Sequence, residues 1–416
     1  MNLKKILFVA VGVVMALPVS AATTHRVAPS QNLGSIADQY FNQSAAYLKD
    51  ELVKDLIFVN NLGQAGVRPG QELSVPVCFD EALKPVSRRK PAGFEAKGLY
   101  LNRAGAGSRK IFRLADRLAV YGGNAIVFDA KDVTGQLSYR SRIPATFASS
   151  LSYQPSIEDL AKLIEYLHSM DMHVIARVSC FSDQTMASLV PSWRIKENWI
   201  NPASASVQDY TLGIINELAK AGVDEIQLDY VRYPADGSSS TGVVGRSRSD
   251  VIAGFLKRAH EVTKSRGILL SIDMFGIVIW GRQEDVLVVG QDITKIMKNV
   301  DIISPMVYPS HFQKKFGGVA DPANEPYYMV FQSIKRLKAI VGDTVVIRPW
   351  LQAFPLGVKN YGPEYLTAQM RAARDAGATG WLWWSPGNYY DEAFAGLDAM
   401  LRDKPQRVVT ATPAAR

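Results

Sequence analysis

The sequence predicts an α/β protein built as a (β/α)8 TIM barrel, with a small β-α-α-β module before it. From about residue 97 onward, eight apolar runs rich in β-branched and aromatic residues alternate with helical patterns. Eight such units in a row are typical of a closed barrel of parallel strands, predicted here over residues 96–405. A doubly wound open sheet is the alternative. The eight runs are KGLYLN, NAIVFDAKD, HVIARVSCF, DEIQLDYVRYP, ILLSIDMFG, VDIISPMVYPSH, TVVIRPWLQAF and GWLWWSP.

The first residues are typical of a secretory signal peptide. Lys4 and Lys5 form a basic start, and residues 6–17 form an apolar run that is too short to span a bilayer. The small residues Val19-Ser20-Ala21 then supply a cleavage site. An anchored single helix is the alternative. We therefore expect residues 1–21 to be removed and the protein to be exported, in the periplasm or outside the cell.

Charge and composition make several functions unlikely choices for this chain. The formal net charge is +8, or 8 − 2 = +6 once Lys4 and Lys5 are removed, and it is spread along the sequence. No Lys/Arg block or nucleic-acid motif occurs, so we do not expect a nucleic-acid partner. The five histidines lack ligand spacing, so we expect no metal site and no cofactor. Cys78 and Cys180 could pair in an oxidising compartment or remain free.

Residues 24–77 carry a pattern of their own. THRVAPSQ is typical of a short strand and turn, and NLGSIADQYF of a helix with Asn32 as its N-cap. A second helix is predicted over about residues 51–60, and VRPGQELSVPV then predicts a turn and a strand. The element order is therefore β-α-α-β. Residues 78–95, with two prolines and the charged run RRK, are predicted to be a linker, and residues 406–416 a disordered tail.

The stretches VAPSQNLGSIADQYF, LIFVNNLG and VRPGQELSVPV resemble a LysM module, a small fold that binds N-acetylglucosamine-containing glycans such as peptidoglycan and chitin. Two features depart from the family pattern: Ser30-Gln31 replaces the usual Gly-Asp pair, and the segment between the helices is longer. A LysM-like packing module without glycan affinity is the alternative. The resemblance implies a glycan groove lined by Pro29, Ser30, Gln31, Asn32, Asn60, Asn61 and Leu62.

Polar residues recur on one face of the predicted barrel strands. Side chains alternate between faces along a strand, so Gln227 and Asp229 oppose Ile226 and Leu228. The polar residues of this face are predicted to lie only near the C-terminal ends of the strands, where barrel active sites lie. Parity divides the three tryptophans of GWLWWSP between the core and this site. The pattern predicts a cup lined by Asp129, Asp132, Arg177, Asp229, Arg232, Asp273, Tyr308, His311, Arg348, Trp350, Gln352 and Trp383.

Acids, arginines and aromatic residues in one cup suit glycoside hydrolysis. One carboxylic acid protonates the leaving oxygen, and a second carboxylate attacks the anomeric carbon or activates water. Flat sugar rings stack on aromatic side chains. The sequence has no G-x-S-x-G motif and no histidine placed for a Ser-His pair. Metal-assisted hydrolysis through Asp129, Asp132 and Asp229 is an alternative.

Six motifs in order resemble a bacterial family of glycoside-hydrolase-like barrels catalogued as a domain of unknown function. The motifs are FDAKDVTGQLSY, LDYVRYP, SIDMFG, SPMVYPSHF, RPWLQAF and GWLWWSPGNYY. The family is distantly similar to α-amylase-type barrels, which implies Asp229 as the nucleophile and Asp273 as the acid/base. The chain departs from that pattern in three ways. Asp273 is not Glu, the third acid near Trp350 is missing, and Gln227 replaces an arginine for which Arg232 or Arg177 must substitute.

The sequence therefore predicts an exported protein in which a LysM-like module tethers a glycosidase to a polysaccharide, peptidoglycan being one candidate. Asp229 is the expected nucleophile or base and Asp273 the general acid, with the other cup residues binding substrate. The alternatives are a catalytically silent glycan-binding envelope protein and a metal-dependent polysaccharide deacetylase. An arginine that fills the gap between the two carboxyl groups would favour the silent protein.

Overall fold

The computed structural model describes residues 23–63, 66–91, 93–144, 153–236, 245–281 and 283–402. The chain forms two compact units, Met1–Leu83 and Lys84–Arg416, so their boundary falls inside the segment predicted to be a linker. The predicted signal peptide, residues 1–21, and the predicted tail, residues 406–416, lie outside the described residues. Among the helices that the structure describes, none is both long enough and apolar enough to cross a membrane.

The first unit has the order β-α-α-β. Its elements are β1 Thr23–Arg26, α1 Leu33–Tyr40, α2 Lys49–Val59 and β2 Glu72–Val75. The two strands pair antiparallel, with Thr24 opposite Ser74. Asn32 caps α1 as predicted, because its Oδ1 accepts a hydrogen bond from the N–H of Ser35 at 2.9 Å. The core draws on both helices and β2 and includes Ile36, Ala37, Leu52, Leu56, Leu73 and Val75.

The second unit is a closed barrel of eight parallel strands with helices between them, which confirms the predicted fold. The sheet closes on itself because β9 pairs with β10, so it is not the open sheet of the alternative prediction. The strands of the barrel sheet are β3 Lys97–Leu101, β4 Ala125–Lys131, β5 His173–Ser179, β8 Glu225–Asp229, β9 Leu269–Phe275, β10 Ile302–Met306, β11 Val346–Ile347, β12 Trp350–Gln352 and β13 Trp381–Trp384. A separate hairpin consists of β6 Arg194–Lys196 and β7 Trp199–Ile200.

The helices of this unit follow the strands in alternation. α7 ends at Ala221, and Gly222 then adopts φ +94°, the left-handed conformation that the Ala-Gly-Val sequence predicts at a helix end. The helices are α3 Arg103–Ala106, α4 Lys110–Val120, α5 Leu160–Ser169, α6 Gln184–Leu189, α7 Ala205–Ala221, α8 Arg248–Lys264, α9 Gln283–Val289, α10 Ile293–Ile296, α11 Pro326–Val341, α12 Pro363–Asp375 and α13 Asp391–Arg402.

The seventh barrel strand is divided into β11 and β12. Both pieces pair with β10, and the break falls at Arg348 and Pro349. Pro349 has no N–H to donate to the ladder, so the ladder lacks a hydrogen bond at the break. The N–H of Leu382 still donates to the carbonyl of Pro349 at 2.9 Å, which keeps β13 attached across the break.

Polar side chains occur in the barrel interior at every height. The prediction that they gather only at the C-terminal ends of the strands is therefore wrong. At the opposite end, Glu225 is fully buried and accepts hydrogen bonds from His173 Nε2 at 3.0 Å and from Arg348. Burial alone would raise the pKa of Glu225, but Arg348 and His173 lower it to about 2. Halfway up, Gln227 Nε2 donates to Ser304 Oγ at 3.1 Å.

Candidate active site

A cavity of about 200 Å³ opens at the C-terminal ends of the barrel strands. Its walls come from the ends of β5, β8, β9, β10, β12 and β13 and from the loops that follow them. They combine two carboxyl groups and two guanidinium groups with a large aromatic surface. The lining residues are Arg177, Asp229, Tyr230, Arg232, Asp273, Phe275, Gly276, Ile277, Met306, Tyr308, His311, Phe312, Trp350 and Trp384.

Arg177, near the end of β5, joins three carboxyl groups. Its Nη1 donates to Asp129 Oδ1, its Nη2 donates to Asp229 Oδ2, and its Nε lies 3.5 Å from Asp273 Oδ2. Burial disfavours its charged form, but Asp129 and Asp229 outweigh burial and raise the pKa of Arg177 well above its usual value. Arg177 therefore remains a cation and takes the role predicted for an arginine beside Asp229. Arg232 does not pair with Asp229.

Asp229 is the last residue of β8, and both of its carboxylate oxygens are occupied. Oδ2 accepts from Arg177, and Oδ1 accepts from the N–H of Tyr230 at 2.6 Å. Tyr230 has φ +53°, a left-handed conformation that is rare for an aromatic residue and strained. The sharp turn that follows β8 thus holds the Asp229 carboxylate in one orientation.

Asp273, on the neighbouring strand β9, has a different environment. It is 1% exposed, its Oδ1 accepts from Trp350 Nε1 at 2.6 Å, and its Oδ2 has no hydrogen-bond partner. Burial and the negative charge of Asp229 raise the pKa of Asp273 well above its usual value, against the opposing effects of Arg177 and Trp350. The Asp273 carboxyl group therefore keeps its proton to higher pH than an exposed aspartic acid does, and Oδ2 is the free oxygen to carry it.

Seven of the twelve predicted cup residues lie at this cavity. Tyr308 and Trp350 supply aromatic surface beside Asp273, and His311 lies at the exposed rim with its ring 5.0 Å from that of Tyr308. The seven are Arg177, Asp229, Arg232, Asp273, Tyr308, His311 and Trp350. Their roles in substrate binding and catalysis stay predictions.

Two predicted acids lie outside the cavity lining. Asp129 is buried behind Arg177 and accepts from Tyr100 Oη at 2.5 Å, and burial raises its pKa. Asp132 shapes the turn after β4, because its Oδ1 accepts from the N–H of Thr134 at 2.9 Å and of Gln136 at 3.2 Å. Asp129 is placed to hold Arg177, and Asp132 to hold a loop.

Three further residues predicted to line the cup, Arg348, Gln352 and Trp383, lie outside the cavity lining. Arg348 lies lower in the barrel, where it pairs with Glu225. Gln352 is fully buried and holds two loops, accepting from the N–H of Ser310 at 3.1 Å and donating to the Phe354 carbonyl at 2.9 Å. Both side chains lie on the interior face of the seventh strand, but they lie at different heights in the barrel because the strand break falls between them.

Trp383 points away from the cavity, and of the three tryptophans near the end of β13 it is Trp384 that lines it. The ring of Trp383 is buried 4.5 Å from that of Trp381. Leu382 belongs to the interior cluster with Tyr100, so residues 381 and 383 face the helices and residue 384 faces inward. Trp384 stacks on Tyr308 at a centroid distance of 5.4 Å.

Sequence reasoning missed several residues of the cavity wall. Phe275, Met306 and Trp384 end their strands on the interior face, so strand parity was a signal that could have found them. Tyr230 and Phe312 come from loops, where no periodicity indicates which way a side chain points. They reach the cavity only because the barrel brings the ends of β8 and β10 to one rim.

In the first unit, three of the predicted groove residues hold the fold. Asn60 joins α2 to β2: its Nδ2 donates to the Ser74 carbonyl at 2.8 Å and its Oδ1 accepts from the Ser74 N–H at 2.7 Å. Gln31 Oε1 accepts from His25 Nε2 at 2.8 Å, and Asn32 caps α1. Of the others, Ser30 is exposed, Asn61 has φ +49°, and Leu62 is half-buried against the core. Glycan binding by these six residues and by Pro29 stays a prediction.

Both cysteines are free, Cys180 being fully buried. Arg177 occupies the place between Asp129 and Asp229 where the deacetylase alternative would put a cation. Among the residues that the structure describes, no group of three or more His, Cys, Asp or Glu side chains is arranged to hold a metal ion.

A TIM barrel with a buried pair of carboxyl groups in different environments at its C-terminal mouth is typical of the glycoside hydrolase class. The chain belongs to the family described as "putative glycosyl hydrolase domain", whose sequence profile matches residues 98–390. This confirms the family that the six motifs indicate.

Solved structures resemble the chain in fold. The glycoside hydrolase domain of PgaB (BpsB) from Bordetella bronchiseptica is 13% identical, with 74% of this chain and 99% of that one covered and a TM-score of 0.56. The endo-1,4-beta-mannanase from Rhizomucor miehei is also 13% identical, with 77% and 99% covered and a TM-score of 0.51. At such identities the likeness concerns the fold alone. Among curated proteins, no match to this chain was found.

Proposed function

We propose that the protein is an exported glycoside hydrolase that cleaves a polysaccharide through Asp229 and Asp273. The observation that carries this proposal is the contrast between the two carboxyl groups at one cavity. Asp229 accepts from a permanent cation, whereas burial raises the pKa of Asp273, whose Oδ2 is free. Pairs of carboxyl groups whose environments push their pKa values apart divide into a base and an acid.

In the proposed reaction, Asp273 transfers its proton to the glycosidic oxygen, and the bond from that oxygen to the anomeric carbon breaks. Asp229 acts in one of two ways: it takes a proton from a water that attacks the anomeric carbon, or it attacks that carbon itself. In the second case a water deprotonated by Asp273 then displaces Asp229 and releases the sugar. Retaining enzymes hold their carboxyl groups about 5–5.5 Å apart and inverting enzymes about 6.5–9.5 Å apart. Asp229 and Asp273 lie side by side on neighbouring strands and contact the same guanidinium, which supports the closer, retaining arrangement.

The aromatic wall supplies the sugar-binding surface in this proposal. Trp384, Tyr308 and Phe275 present rings to the cavity. Sugar rings carry apolar faces that pack on such surfaces, while their hydroxyl groups require hydrogen-bond partners. Arg177 has a second task, because its hydrogen bond orients the Asp229 carboxylate before substrate arrives.

The test compares Asp229→Asn and Asp273→Asn with the parent protein and with Asp116→Asn, a control on the exposed face of α4. Each site variant is expected to lose about 100-fold or more in kcat/KM, because a positioned acid or base contributes about 10²–10⁴ to rate. Substrates come from a screen of peptidoglycan and α- and β-linked polysaccharides. Full activity in a correctly folded variant would remove that residue from the mechanism.

One observation favours a second candidate function, a glycan-binding envelope protein without turnover. Arg177 contacts both Asp229 and Asp273, so its guanidinium lies between the two carboxyl groups. Calorimetric binding of a glycan that the parent protein leaves intact, with no product by chromatography, would support this candidate. Product formation that depends on both aspartates would reject it.

The proposal for the first unit is that it is a LysM-like module that holds the protein on N-acetylglucosamine-containing glycan of the cell envelope. Its support is the β-α-α-β order, together with the sequence resemblance. The export signal predicted at residues 1–21 supports a periplasmic or extracellular location. Peptidoglycan is the envelope glycan we would assay first.

A further inference from the structure

Arg232 lies in the cavity wall, where the described residues provide it with no acidic partner. Its Nη1 donates to the carbonyl of Tyr233 at 3.0 Å. Its guanidinium carbon lies 4.8 Å from the ring centre of Trp199, 5.5 Å from that of Tyr230 and 5.0 Å from that of Phe275. Among the described residues, no carboxylate oxygen lies within 4.0 Å of its nitrogens. Three aromatic rings thus fix the position of a cation that no described carboxylate neutralises.

The two arginines of the cavity contrast in this respect. Arg177 contacts three carboxyl groups, whereas burial lowers the pKa of Arg232, with only partial relief from the charge of Asp229. A partly buried charge without a counter-ion is costly to the folded protein. A guanidinium has five N–H donors. Arg232 lines the cavity, and none of its nitrogens is among the described buried atoms that lack a partner.

The charged groups described in the cavity wall differ in their partners. Asp229 is paired with Arg177, and Asp273 Oδ2 lies 3.5 Å from the same guanidinium. Arg232 is the charged group of this lining for which the described residues provide no ion-pair partner.

We propose that Arg232 binds a carboxylate of the substrate, so that the polysaccharide is an acidic glycan. The inference rests on the proposed function of the cavity as a glycan site. A guanidinium held by rings presents a rigid fork that matches the two oxygens of a carboxylate. Two sources carry this group: the ring carboxylate of a uronic acid, and the lactyl carboxylate of muramic acid.

Binding to matched glycans tests the proposal. The full chain is used with Asp273→Asn, which stops turnover and keeps a neutral side chain at that position. Oligosaccharides of polygalacturonate and glycan strands of peptidoglycan are each titrated beside their carboxyl-reduced forms, which differ only in an alcohol. We expect reduction of at least one of the two sources to weaken binding about tenfold or more, and that source identifies the acid.

Arg232→Gln separates this site from the rest of the molecule, including the first unit. The variant is expected to bind the acidic and the reduced glycan equally, a loss of preference that a merely structural role would not produce. Arg232→Lys keeps the charge without the fork and should retain part of the preference. The control Arg113→Gln, on the exposed face of α4, should keep all of it.

Three results would overturn the proposal. They are equal binding of acidic and reduced glycans by the protein that retains Arg232, a preference for the acidic glycan that survives Arg232→Gln, and no binding of either acidic glycan. Hydrolysis of neutral glycans that needs Asp229 and Asp273 would leave the proposed function standing while this inference fails. Carboxylate-dependent binding without any hydrolysis would do the reverse.

Discussion

Asp273 depends on its neighbours for its protonation state. Burial and Asp229 raise its pKa, while Arg177 and the hydrogen bond from Trp350 Nε1 oppose that rise. A general acid must hold its proton at the working pH, and activity is lost as pH rises through the pKa of that acid. The alkaline limb of the pH profile should therefore lie above the range of an ordinary aspartic acid.

Trp350→Phe should move that alkaline limb to higher pH. The substitution keeps an aromatic ring but removes the N–H that stabilises ionised Asp273, so the pKa of Asp273 rises further. The measurement is kcat/KM against pH. Trp383→Phe is the matched control, because Trp383 packs on Trp381 outside the cavity. An unchanged limb in Trp350→Phe would mean that Asp273 is not the acid.

Strand order and helix ends explain how such residues meet at one place. β8 and β9 pair in register from Glu225 opposite Leu269 to Leu228 opposite Ile272, so Asp229 and Asp273 end side by side. The turns at the other end of the barrel depend on glycine. At Gly222, φ is +94°, and an added Cβ would lie 2.3 Å from the Pro85 carbonyl oxygen.

Gly222→Ala should destabilise the barrel more than Gly377→Ala does. Both glycines follow a helix with positive φ, but a Cβ at Gly377 would meet no atom within 4 Å. Gly377→Ala should cost about 1–2 kcal/mol for the left-handed backbone alone. Gly222→Ala adds overpacking of about 1–3 kcal/mol. Urea unfolding of both variants measures the difference, and equal costs would show that residue 85 moves aside freely.

At the scale of the whole molecule, the two compact units suggest a division of labour between holding the glycan and cutting it. The first unit has its own core, and the barrel contains every residue of the proposed catalytic site. The chemistry of the barrel should therefore not require the first unit, whereas attachment to an insoluble glycan should.

Removal of residues 1–83 tests that division. The remaining barrel is expected to keep kcat/KM on short soluble oligosaccharides within about twofold. Its sedimentation with insoluble peptidoglycan should fall about tenfold or more, because binding energy from a linked second module is lost. Unchanged sedimentation would contradict a glycan-holding role for the first unit.

The sequence by itself determined the eight strands, their order and the face on which each polar residue lies. These features follow from local periodicity: alternating side chains, apolar runs and glycine at helix ends repeat within a few residues of chain. The same local signals placed Asn32 at a helix start and put Asp229 and Asp273 at the ends of consecutive barrel strands.

Only the tertiary structure decided which of these residues meet, and at what depth. Arg177 rather than Arg232 pairs with Asp229, Arg348 pairs with Glu225 below the cavity, and Tyr230 enters the wall from a loop. Strand periodicity gives the face of a side chain but not its height in the barrel. That height depends on how the strands stagger when the sheet closes, which no local pattern records.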